Sequence, residues 1–168
     1  MPYRFSALLV FALLPPLGMA EECTDRADCW PEGSATHTGL LLAQEMKALD
    51  DAMDEAHRSL IEKVSAAPVT EETPQDNSLL SKALREQQKA WLRYRSGECL
   101  LIGTLTGAGG SWPSTYANDC ALSLGQQRLE DIQAAHACID AISEQDRLFE
   151  QGECLRDLAP MARDLPFP

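Results

Sequence analysis

Apolar residues recur along the first half of the chain at Leu42, Met46, Leu49, Met53, Ala56, Leu60 and Val64. Steps of three and four residues belong to one face of an α-helix, whereas a half-buried strand would alternate every second residue. The opposite face holds Glu45, Asp51, Asp54, Glu55, Arg58 and Glu62. Thr36 or Thr38 is the expected cap, and Ala67-Pro68 the expected stop. About 26 residues at 1.5 Å rise make a rod about 40 Å long.

Residues 68–77 carry Pro68, Pro74, Asp76 and Asn77 and read as a loop. A second helix is expected from Leu79 to about Ile102, with a stripe of Leu80, Leu84, Gln87, Trp91, Tyr94, Glu98 and Leu101. Gln87 and Glu98 need partners if that stripe is buried. Gly103, Gly107, Gly109, Gly110 and Pro113 predict a loop over 103–115. A third helix follows from Tyr116 or Asn118 to about Ser143, with Leu122, Leu129, Ile132, Ile139 and Ile142 as its apolar line. A short helix is expected after Gly152, then a Pro-rich tail. Hairpin signals are absent and no repeat is present. The expected class is all-α: an antiparallel bundle of about three main helices, with disulfide-stapled arms at both ends.

The first twenty residues read as a secretory signal peptide. Arg4 precedes the apolar run Phe5–Leu14, and Gly18-Met19-Ala20 offers small residues for cleavage after Ala20. The expected organisation is then an irregular Cys-bearing arm over 21–37, a helical domain over 38–143 and a Cys-bearing extension over 144–168. The protein is expected to be periplasmic or secreted, without a membrane span. Export leaves 13 basic against 26 acidic side chains. That balance disfavours nucleic acid and anionic membranes, and favours a basic protein partner or simple solubility. Six cysteines in an exported chain predict three disulfides. No Cys-x-x-Cys pair exists, so no metal or other cofactor is expected.

The stretch Trp91-Leu92-Arg93-Tyr94-Arg95-Ser96-Gly97-Glu98-Cys99 concentrates the remaining chemistry. Trp91, Arg95 and Cys99 share one helical face, so a guanidinium can stack on the indole while a sulfur anchors the far end. Glu98, three residues on from Arg95, can pair with it. Cys99 and Cys120 enclose the Gly-rich loop, and closing that ring contributes about 3 kcal/mol in the chain-entropy account. Cys138–Cys154 and Cys23–Cys29 are the simplest remaining pairs, with an arm-to-C-terminus pairing as the alternative. Catalysis is not expected. His37, His57 and His136 sit in no catalytic pattern and read as surface or half-buried helix residues. Gly109-Gly110-Ser111 is not a nucleophile elbow.

Gln88, Trp91, Tyr94, Arg95, Glu98, Cys99, Gly109, Gly110, Ser111, Cys120 and Arg128 together resemble the motif of the LprI-type lysozyme inhibitor family. Upstream, Asp50, Met53, Asp54 and His57 resemble that family's first helix. The resemblance covers about residues 40–132. Where the family carries a Cys just before its first helix, this chain reads Thr36-His37-Thr38-Gly39, which implies a rewired disulfide set. The resemblance implies an exported, non-enzymatic protein-binding module whose partner is a lysozyme-like muramidase. Ser111, Trp112 and Tyr116 are the candidate contacts. The same scaffold also suits a periplasmic immunity protein against a secreted toxin, or an envelope structural protein.

Overall fold

A computed structural model describes residues 25–66 and 77–160. The expected signal peptide, Cys23, most of the 68–77 loop and the Pro-rich tail lie outside the described residues. Three long helices dominate: α1 (Ala35–Ser65), α2 (Asn77–Leu105) and α3 (Trp112–Ala141). A short α4 (Arg147–Cys154) and 3₁₀ turns at Ala27–Cys29 and Arg156–Leu158 complete an all-helical fold among the described residues. No helix there is long and apolar enough to cross a membrane.

Helix α3 is the centre of the bundle. It packs along both α1 and α2, which touch each other far less. Being covered on two sides, it needs no single apolar stripe, and its buried positions include Gly125, Arg128 and Ala135 beside Ile132 and Ile139. Met53, Leu60 and Val64 of α1 meet Ile132 and Ile139 in a fully buried core, with Leu158 closing it from the C-terminal side. Burying each such side chain contributes about 1.5–3 kcal/mol.

The helix ends differ from the sequence expectation in instructive ways. Ser34, not Thr36 or Thr38, caps α1, its Oγ accepting from the His37 N–H at 3.2 Å. Helix α2 continues to Leu105, so Gly103 is helical instead of opening the loop. The reason is steric: a Cβ on Gly103 would stand 2.2 Å from the Pro113 carbonyl oxygen, so only glycine admits the backbone of α3 this close. Helix α3 begins at Trp112, with Pro113 in its first turn where a missing N–H costs nothing. The true loop is therefore residues 106–111, with Gly107 and Gly110 at φ +64° and +65°. Helix α4 starts at Arg147 and contains Gly152, earlier than expected.

Two disulfides clamp this frame. Cys99–Cys120 joins α2 to α3 with Cα atoms 5.4 Å apart, and Cys138–Cys154 joins α3 to α4 at 5.6 Å. Cys29 is also disulfide-bonded. The start of α3 is pinned to the start of α1 as well. Thr115 Oγ1 donates to the Ala35 carbonyl at 2.8 Å, and Asn118 Nδ2 donates to that of Gly39 at 3.3 Å.

Candidate functional site

Trp91 is the hub of the polar network. The Arg95 guanidinium carbon lies 5.4 Å from its ring centroid and that of Arg128 lies 5.5 Å away. Helix spacing brings Arg95 there from one turn along α2, while Arg128 arrives from α3. Each cation is worth about 0.5–2 kcal/mol to such a ring, more when desolvated.

Arg95 is neutralised from α1. Its Nη1 and Nη2 donate to the two carboxylate oxygens of Asp50 at 2.7 and 3.0 Å, a bidentate fork. The expected Glu98 partnership is not formed, and Glu98 makes no hydrogen bond or ion pair among the described residues. The two residues share a helix, but Arg95 is turned inward to Asp50, forty-five positions away, and its side chain is only 8 % exposed.

Arg128 is 1 % exposed. Its Nε donates to Gln88 Oε1 at 3.0 Å, its Nη1 to the Leu158 carbonyl at 2.7 Å and its Nη2 to Gln87 Oε1. Gln87 Nε2 donates in turn to the Leu158 carbonyl at 2.6 Å. The direct acceptors are all neutral. Burial pushes the Arg128 pKa down to about 10, with the Asp131 carboxylate acting in the other direction. His57, expected to be a surface or half-buried helix residue, is buried, and desolvation lowers its pKa, with nearby Arg128 adding to the effect. Neither His57 Nε2 nor Gln88 Nε2 has a hydrogen-bond partner among the described residues.

Helix α2 therefore buries a different face from the one its apolar letters predict. Ser81, Leu84, Gln88, Arg95 and Cys99 are buried, whereas Tyr94 and Leu101 are 46 % and 53 % exposed. Tyr94, with Trp91, Gln127 and Arg128, lines an open cleft of about 700 Å³ between α2 and α3.

A second surface lies at the α2–α3 hairpin tip. Leu100, Leu101, Ile102 and Leu105 are all exposed there, as are Trp112 and Tyr116, whose rings stack with centroids 5.8 Å apart. Ser111 is exposed and shares a hydrogen bond with Thr36 Oγ1 at 3.3 Å, so it ties the tip to α1. Gly109 and Gly110 shape the turn beside it. Trp112, expected in the loop, and Tyr116, expected near the start of the third helix, both lie in the first turns of α3. The leucines and Ile102 escaped the motif reading. The signal that marks them is an absence: no Asp, Glu, Lys or Arg occurs from Cys99 through Asn118 in a chain that is 24 % charged.

Gln88, Trp91, Arg95 and Arg128 thus converge on one buried network, Tyr94 borders the cleft, and Gly109, Gly110, Ser111, Trp112 and Tyr116 gather at the tip. The network supports the hairpin, with the disulfide between them. Nothing in either place assembles a nucleophile with a base, and no group of three potential metal ligands occurs among the described residues.

No curated protein and no solved structure matches the chain. Residues 29–132 do match a known protein family, described as lysozyme inhibitor LprI. That span takes in α1, α2, the hairpin tip and α3 through Ile132, and it leaves out the Cys138–Cys154 extension. Since the match covers more than half of the chain, this protein belongs to the lysozyme inhibitor LprI family.

Proposed function

We propose that the protein is an exported inhibitor of a lysozyme-like muramidase and docks on it through the α2–α3 hairpin tip. The observation that carries the docking surface is the exposed, charge-free run around Leu101, Leu105, Trp112 and Tyr116. Interface centres are depleted in charge and enriched in aromatic residues, and Trp112 and Tyr116 stand exposed in mutual contact within this charge-free run. Ser111, Trp112 and Tyr116 are the proposed contacts nearest the turn, and the leucines of α2 widen the patch.

The rest of the surface supports the choice of partner. The chain carries a net charge of −12, none of it at the tip. An acidic body attracts a basic partner over a distance, while a neutral tip avoids burying charge at contact. The half-buried Arg95–Asp50 pair and the Cys99–Cys120 bridge anchor the base of the tip, which limits the ordering cost of binding. Residual activity of several lysozyme classes at micromolar protein is the direct test. Undiminished activity across the panel overturns the reading and leaves the immunity role as the successor.

A further inference from the structure

We infer that Ser59 is a reactive nucleophile, activated by His136, that takes up acyl or phosphonyl groups from small electrophiles with good leaving groups and keeps them. Ser59 Oγ lies 3.2 Å from His136 Nε2, and His136 Nδ1 lies 3.1 Å from Asp140 Oδ2. Helix α1 supplies the serine, and α3 supplies the imidazole with its carboxylate one turn on. These are the distances, about 2.6–3.2 Å, of a nucleophile held by a base that a third group orients. The other carboxylate oxygen of Asp140 takes the Lys63 ammonium from the next turn of α1. The relay stands apart from the hairpin tip. Thr115 fixes the tip at Ala35, and Ser59 lies about 36 Å farther along α1 at 1.5 Å per residue. His136 and Asp140 also lie beyond the family match, which ends at residue 132.

The tautomer follows from these partners. A carboxylate only accepts, so Nδ1 carries the proton and donates to Asp140, which leaves Nε2 to accept from the Ser59 hydroxyl. Burial, with the Lys63 charge adding to it, holds the His136 pKa below the ordinary value of 6.5, so the ring is neutral at pH 7 and free to take a proton. Reagents can reach the relay: Ser59 is half-buried, and the His136 and Asp140 side chains are 31 % and 50 % exposed. As Ser59 Oγ attacks, its bond to the carbonyl carbon or phosphorus forms and the bond to the leaving group breaks with its electron pair. The hydroxyl proton passes to His136 Nε2 and from there to solvent. Both helices run unbroken past this point, so their N–H groups are spent on the helix ladder and none forms an oxyanion hole. That restricts the electrophile to one with a good leaving group. It also makes hydrolysis of the adduct slow, so the product is a modified serine without turnover.

The test incubates the full, disulfide-bonded chain with a fluorophosphonate ester and locates the adduct by peptide mass spectrometry. Here the Oγ–P bond forms and fluoride leaves. The expected result is a phosphonyl adduct on Ser59 alone, absent from the chain unfolded in urea. Ser65, which bonds Ser81 and has no imidazole, stays unmodified. Ser59→Ala abolishes the adduct, and His136→Gln slows its formation at least about a hundredfold, while the circular dichroism of both matches the parent. An unlabelled parent overturns the inference, as does an adduct placed on another residue. Equal labelling rates in parent and His136→Gln overturn it too. Lysozyme inhibition plays no part in this experiment, so the two readings stand or fall separately.

Discussion

Arg128 and Trp91 meet at 5.5 Å across the α2–α3 interface, with the guanidinium 1 % exposed and bonded only to uncharged oxygens. A buried cation of this kind is tolerated only because each bond is made. Arg128→Ala leaves Gln87, Gln88 and the Leu158 carbonyl without their donor and is expected to cost about 3–5 kcal/mol. Arg128→Met, which keeps the volume and removes the charge, costs markedly less. Urea unfolding of the two variants checks the ordering.

Arg95 takes its counter-charge from Asp50 and not from Glu98. Asp50→Ala is therefore expected to destabilise by about 1–3 kcal/mol, because it strands a buried guanidinium whose partner was partly exposed. Glu98→Gln should stay within about 0.5 kcal/mol of the parent. A double-mutant cycle places the coupling on the Asp50–Arg95 pair, and equal costs for the two single variants would contradict the pairing.

How much of this was legible beforehand depended on whether burial follows hydrophobicity. The stripe Met53, Leu60, Val64 on α1 is apolar and buried, so its period located the core. On α2 the same reasoning selected Tyr94 and Leu101, which are exposed, and missed Ser81 and Gln88. Those buried polar residues take partners up to forty positions away, Ser65 for Ser81 and Arg128 for the Gln88 carbonyl oxygen, and no local pattern announces such partners. Gly103 read as a helix breaker for a related reason: its role is set by Pro113 on the next helix. The Trp91–Arg95 stack was legible, since both residues lie one turn apart. Ser111, Trp112 and Tyr116 at the tip were singled out beforehand, whereas the exposed Leu100, Leu101, Ile102 and Leu105 were missed because apolar letters suggest core.

His57 makes stability pH-dependent. Burial lowers its folded pKa below the ordinary value of 6.5, with Arg128 and Arg85 adding to the shift and Asp54 opposing it. The unfolded chain then binds a proton more readily than the folded one, so stability rises with pH in this window. The contribution is complete above pH 6.5 and is lost as pH falls through the unfolded value toward the folded one. The melting temperature should drop between pH 7 and pH 5. In His57→Asn that drop should shrink, leaving the contribution of His136, whose pKa is also lowered by burial and by Lys63. An undiminished drop would contradict the assignment.

The Cys99–Cys120 bridge closes the hairpin that carries the tip. Replacing both cysteines by Ala is expected to cost about 3 kcal/mol through the loop-closure entropy regained by the unfolded chain. If the bridge also holds the tip in its binding geometry, inhibition weakens beyond the fraction unfolded. Comparing inhibition with circular dichroism at one temperature separates the two effects.

Inhibition of the most sensitive lysozyme by the parent chain and by Leu105→Lys tests the central claim most directly. Leu105 is 71 % exposed in the last turn of α2, where a lysine suits the helix dipole and leaves the fold intact. It also sets a positive charge against a basic partner within the charge-free stretch from Cys99 to Asn118. The account predicts at least about a tenfold loss of inhibition, or about 1.4 kcal/mol, with unfolding unchanged. Equal inhibition by parent and variant would show that the hairpin tip is not the docking surface.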